Sequence, residues 1–116
     1  MTHELNVDST YIRLVRPNDR FSITLTANYQ KNIAFRIRAD NQMVFVGCKG
    51  GMFRKPGENV TVNFFVQSEF DTFKISVDYT EVETAANENP FFGELQPRQE
   101  LVKIIKIEVH SVDNDN

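Results

Sequence analysis

The sequence predicts an all-β protein, an antiparallel sandwich of seven or so short strands, on three observations. Apolar residues recur with a period of two in several windows, turn-forming residues separate those windows, and no stretch of ten residues carries a helical period. At 116 residues the chain is expected to be a single domain over 1–116, large enough to fold without metal or disulfide support. Ten Phe and no Trp place phenylalanine at the centre of the expected core.

Leu5 and Val7, then Tyr11, Ile12 and Leu14, read as a first strand broken near Asp8-Ser9, with Pro17-Asn18-Asp19 as the turn that follows. Phe21, Ile23, Leu25 and Ala27 alternate with Ser22, Thr24 and Thr26, and Asn28 to Asn32 turns the chain. Ile33, Phe35 and Ile37 form the inward set of the next strand, which leaves Ala34, Arg36 and Arg38 outside and the two arginines side by side in water. Met43 to Val46 is a short apolar run. Gly47 to Gly57, with Gly50, Gly51 and Pro56 between them, reads as a loop.

Val60, Val62, Phe64 and Val66 then alternate with polar residues and with Phe65, which points outward. Phe73, Ile75, Val77 and Tyr79 alternate with Lys74, Ser76, Asp78 and Thr80. The short polar link between these strands allows either a direct pairing or a crossing between sheets. Glu81 to Glu100 reads as a long exposed connection tacked down by Phe91-Phe92. Leu101 to Val112 reads as the closing strand, with Leu101, Ile105, Ile107 and Val109 on one face if a bulge near Ile104 shifts the register, and Asp113 to Asn116 as a frayed tail. Short strands in this order argue for an immunoglobulin-like sandwich.

A net charge of -3 offers no general attraction to phosphate backbones, so nucleic acid is not an expected partner. The first twenty residues hold no apolar run of seven, so neither a signal peptide nor a membrane span is expected, and the chain reads as cytoplasmic. Cys48 is the single cysteine, which excludes an internal disulfide; beside Lys49 in a glycine-rich stretch it reads as a packed or tolerated loop residue, against a thinner reading as a reactive thiol. Asn59-Val60-Thr61 matches a glycosylation sequon, without meaning for a chain that is not secreted.

Chemistry finds no purchase. His3 and His110 have no metal-ligand spacing, the glycines match no phosphate-binding pattern, and the acidic pairs Glu81/Glu83 and Asp113/Asp115 read as solvated surface. No catalytic residue, metal, cofactor or small-molecule substrate is expected. Arg36, Arg38 and Lys74 would share one outward face where the third and sixth strands of such a sandwich run side by side. Two readings stay open for them: a docking face for an acidic peptide or protein, and charges that simply keep the sandwich soluble.

The order of these segments resembles the major sperm protein (MSP) domain of nematode sperm proteins and of the membrane-tethered VAMP-associated proteins. Asn6-Val7-Asp8 is similar to that family's opening strand, Ile33-Ala34-Phe35-Arg36-Ile37-Arg38 to its strand of an aromatic followed by alternating basic residues, and Gly51 and Pro56-Gly57 to its turns. Ile75-Ser76-Val77-Asp78-Tyr79 and the acidic loop through Asn89-Pro90-Phe91 resemble most the small sperm-specific members. The resemblance implies an MSP/PapD-like seven-stranded sandwich without catalytic activity, in the cytoplasm and cytoskeleton of motile sperm, acting through protein partners that include itself as homodimer or filament. Phe65 is the candidate self-association residue. In the tethered branch the same fold captures acidic peptides bearing two phenylalanines through a basic-x-basic-Thr-Thr strand. Here Arg36 and Arg38 match the basic positions and Lys74 a second one, while Ala39 and Asp40 replace the threonines, and the coiled coil and anchor of that branch are not seen.

Overall fold

Alternation gives residues 20–27 and 59–66 one apolar and one polar face each, and such segments are stable only when paired and packed on a second layer. A computed structural model describes residues 5–14, 20–28, 31–67, 69–83, 88–93 and 96–111. Among them are nine strands: β1 Leu5–Val7, β2 Tyr11–Leu14, β3 Arg20–Ala27, β4 Ile33–Ala39, β5 Val44–Val46, β6 Gly50–Phe53, β7 Asn59–Val66, β8 Thr72–Glu81 and β9 Lys103–Ser111. They form a four-stranded sheet in the order β1-β3-β7-β5 and a five-stranded sheet in the order β2-β9-β8-β4-β6. The expected Pro17-Asn18-Asp19 turn, the tail from Asp113, and His3 lie outside the described residues. No helix among the described residues is long and apolar enough to cross a membrane.

Nine strands and the expected seven are reconciled by two segments that change sheets. Residues 5–14 pair with β3 through β1, break at Asp8, and pair with β9 through β2. Asp8 stitches the break by donating its N–H to Thr24 O at 3.1 Å and accepting Thr24 N–H on Oδ1 at 3.0 Å. Residues 44–53 repeat the device, pairing with β7 through β5 and with β4 through β6. Counted as one strand each, they restore the seven. The link from β7 to β8 crosses between sheets, and all ladders are antiparallel except β2 on β9, which is parallel.

The core lies between the sheets. Ile23, Leu25, Val62, Phe64 and Val66 come from one layer and Ile33, Phe35, Ile75, Val77, Tyr79 and Ile107 from the other, all buried. Phe21 stacks on Phe64 and Phe35 on Phe53, with ring centroids 4.8 and 5.1 Å apart. On the outer face of the four-stranded sheet Ser22 bonds Asn63 at 2.8 Å and Thr24 bonds Thr61 at 3.0 Å, so polar cross-strand pairs continue the ladder where no core exists.

Three expectations are corrected. The stretch from Gly47 to Gly57 is not all loop, because Gly50–Phe53 is strand β6. Its glycines serve close approach rather than turning: a Cβ on Gly50 would lie 2.5 Å from the Phe92 ring and 2.6 Å from Phe35 O. Only Gly57, at φ +82°, takes the left-handed conformation. The closing strand needs no bulge, since the β8–β9 register runs unbroken from Tyr79↔Lys103 to Thr72↔His110; Leu101 falls instead in a 3-10 turn, Gln99–Leu101, and is exposed.

The third correction concerns what lies on the outside of the five-stranded sheet. Ala34, Ser76, Asp78 and Thr80 face outward by alternation, yet all four are buried. Residues 88–93 and 96–102 form a strap on this side of the sheet, which reaches Thr80 and shares a cleft with Asp78. Asn89 anchors it, its amide donating to Phe35 O at 2.8 Å and Gly51 O at 3.0 Å while its Oδ1 accepts from Phe91 N–H at 3.0 Å. Phe91 is buried in the 3-10 turn Pro90–Phe92, Gln96 holds Phe91 O at 2.9 Å, and Thr80 donates to Leu101 O at 3.1 Å.

Candidate functional site

The strand pair β4–β8 sets the site. Its register places Arg36 opposite Asp78 and Arg38 opposite Ser76, so both guanidiniums emerge beside one carboxylate. Arg36 donates from Nε at 3.1 Å and from Nη2 at 2.8 Å to Asp78 Oδ2, and Arg38 Nη2 lies 2.8 Å from the same oxygen. Ser76 donates to the other oxygen at 2.7 Å. The Asp78 side chain is 1% exposed and satisfied on both oxygens, which is the condition under which a buried charge is tolerated.

The two arginines therefore do not stand free in water. Arg36 is further covered by the strap, with its guanidinium carbon 4.8 Å from the Phe91 ring centroid in a cation–π contact. Arg38, with its side chain 54% exposed, stands between two clefts. One, of about 340 Å³, runs under the strap, with Arg36, Arg38 and Asp78 at its floor and Phe91, Val102 and Ile104 among its walls. The other, of about 290 Å³, is lined by Arg38, Asp40, Lys74, Ser76 and Lys106.

Lys74 and Arg38 thus meet in one cleft while Arg36 is withdrawn from it. Among the described residues neither Lys74 nor Lys106 has an ion-pair partner within 4.0 Å. Asp40 is tied to the cleft's edge, accepting Lys74 N–H on Oδ1 at 2.8 Å and donating its own N–H to Lys74 O at 3.0 Å. Lys106 escaped the sequence reading because the supposed bulge blurred which side it faces. The signal was there in the alternation of Ile105 and Ile107, which puts Lys106 outward.

On the opposite face of the sandwich, Phe65 points outward as expected and is half-buried. Arg20 lies over it, guanidinium carbon 5.1 Å from the ring centroid, and Phe45 sits directly across the β5–β7 ladder. Phe45 is 62% exposed on a three-residue edge strand. The unpatterned run Met43 to Val46 had hidden it. Cys48 packs against the core and its thiol contacts Gly50 O at 3.3 Å. His110 is paired with Glu108 at 3.2 Å and stacked on Tyr11, centroids 4.7 Å apart.

At the level of sequence no family model matches the chain, nor does any curated protein. Solved structures do match. WR4, a C. elegans MSP family member, superposes with a TM-score of 0.79 at 17% identity, covering 96% of this chain and all of its own. SSP-19, an MSP-domain protein like family member from the same organism, gives 0.76 at 14% identity over 92% of this chain and 98% of that one. The periplasmic chaperone SfaE gives 0.69 at 8% identity, over 95% of this chain and 58% of the chaperone. Two sheets, two sheet-changing segments and these superpositions together establish the fold: the chain is an immunoglobulin-like β-sandwich of the kind seen in MSP-domain proteins.

Proposed function

We propose that this chain is a non-enzymatic cytoplasmic protein that works through protein–protein contacts in the cytoskeleton of motile nematode sperm, with a second copy of itself as its first partner. The fold's likeness to two C. elegans MSP-type structures supports the setting. The observation that carries self-association is the Phe45–Phe65 pair. An exposed phenylalanine on a short edge strand, beside a second aromatic ring, is apolar surface that an isolated protomer leaves in water. Burying one such side chain fully is worth about 1.5–3 kcal/mol, and a two-fold contact would use the patch twice.

Sedimentation velocity across a concentration series tests this, with Phe65→Asp and Phe45→Asp alongside. Concentration-dependent dimers or larger species that both substitutions abolish are the expected result. A wild-type chain that stays monomeric throughout, or assembly indifferent to both, rules the reading out.

A second reading, docking of an acidic peptide bearing two phenylalanines, is favoured by the convergence of Arg38, Lys74 and Lys106 on one cleft. Asp40 at the edge of that cleft weighs against a strongly acidic ligand, and Arg36 takes no part. Titration with such a peptide against wild type and Arg38→Glu separates the two readings.

A further inference from the structure

We propose that strand β5 pairs edge to edge and antiparallel with β5 of a second copy, about a two-fold axis at Phe45, so that two four-stranded sheets become one continuous sheet. The proposal rests on the self-association reading above and goes beyond it, because it makes backbone hydrogen bonds, and not ring contact alone, the joint between copies.

The ladder on β7 decides which way each β5 residue turns its backbone. Gly47 N–H donates to Asn63 O at 2.7 Å and Gln67 N–H to Met43 O at 2.9 Å, so Met43 and Gly47 stand in hydrogen-bonded pairs with β7. Opposed pairs in an antiparallel ladder alternate between bonded and non-bonded, so Phe45↔Phe65 is a bonded pair, and Val44 and Val46 turn N–H and C=O away from β7. Val44 N–H accords with this by donating to Asn41 O at 3.2 Å. Val46 N–H and the carbonyls of Val44 and Val46 meet no partner among the described residues.

That edge is complementary to itself. A two-fold axis at Phe45 sets Val46 N–H of each copy against Val44 O of the other, and the two Phe45 Cα atoms fall about 4.5 Å apart as a non-hydrogen-bonded pair with their rings side by side. Met43, 44% exposed, then lies opposite Gly47 of the second copy, which has no side chain to obstruct it. Val44 and Val46, partly buried against the core, gain cover on their open side.

Charge singles out this edge from the others. Proteins keep sheet edges unpaired by placing charges on them. Exposed Arg13 stands on β2, exposed Lys49, Arg54 and Lys55 flank β6, and β1 runs into exposed Asp8. From Asn41 to Gly47 no charged residue occurs. The contact is isologous and occupies both β5 edges, so it closes at the dimer, and larger species need another surface.

The test reads amide exchange at Val46 of the full chain as its concentration rises, with sedimentation velocity on Val46→Pro and Met52→Pro. Proline lacks the N–H and is tolerated on an edge where that group faces outward. Met52 is the control: Ile37 N–H donates to Lys49 O at 2.8 Å, and the same alternation turns Met52 N–H away from β4 on the β6 edge. Exchange at Val46 should slow in step with the dimer fraction while Phe45, bonded to Phe65 in every copy, keeps its rate. Val46→Pro should weaken the dimer by about tenfold or more, and Met52→Pro should leave it unchanged. A dimer whose Val46 amide exchanges at a concentration-independent rate, or one that Val46→Pro leaves intact, overturns strand pairing but leaves the phenylalanine contact standing. An equal loss from Met52→Pro overturns it by moving the joint to β6, and a chain that stays monomeric overturns both readings.

Discussion

Arg36 and Asp78 face each other across the β4–β8 ladder, and their contact makes a buried carboxylate the hub of the outer face of the five-stranded sheet. Through that contact the strap is tied to the sheet electrostatically, since the guanidinium that neutralises Asp78 on one side carries Phe91 on the other.

Removing the hub strands two cations at once. Asp78→Ala should destabilise the fold by about 3 kcal/mol, at the low end for breaking a buried ion pair because Arg38 keeps access to water. The shift in urea midpoint at constant slope measures it, and a loss below about 0.5 kcal/mol would mean that the pair is only a surface contact.

Two isoleucines on one strand give a sharper comparison. Ile107 is fully buried and Ile104 is not, so Ile107→Ala should cost about 2–5 kcal/mol and Ile104→Ala well under half of that. Equal losses would indicate a register other than the unbroken one described above.

The strap should loosen before the sandwich does. Asn89→Ala removes one donor group from two carbonyls and the cap of the Pro90–Phe92 turn, a loss of about 1–3 kcal/mol. Amide exchange is expected to accelerate in residues 88–93 and 96–102 while β3 and β7 keep their protection; uniform acceleration would make the strap part of one cooperative unit with the core.

For the basic face, withdrawal of Arg36 has a direct consequence. If an acidic peptide docks there, Arg38→Gln, Lys74→Gln and Lys106→Gln should each weaken it and lower its salt dependence, whereas Arg36→Gln should act mainly on stability. Isothermal titration at two salt concentrations distinguishes the four, and an Arg36→Gln loss matching the others would return that residue to the binding surface.

Much of the sandwich was legible because alternation reports which side a residue faces. Ile23, Leu25, Val62, Phe64, Ile75 and Val77 fell inward as their spacing requires, and the break at Asp8-Ser9 marked a change of sheet. Alternation does not report what covers the other side. Arg36 therefore read as standing in water, although Phe91, more than fifty residues further on, lies over it. Gly50 and Gly51 misled for a related reason: glycine marks a turn and a close approach alike, and only the Phe92 ring and Phe35 decide between them. The same blindness to long-range cover hid the division of the basic face into two clefts.

The parallel pairing of β2 with β9 also orders events during synthesis. Residues 5–7 find their partner once β3 has been made, but residues 11–14 have their sheet neighbour in residues 108–111. The segment over residues 5–14 is thus half seated early, while its other half has no place in the five-stranded sheet until β9 leaves the ribosome.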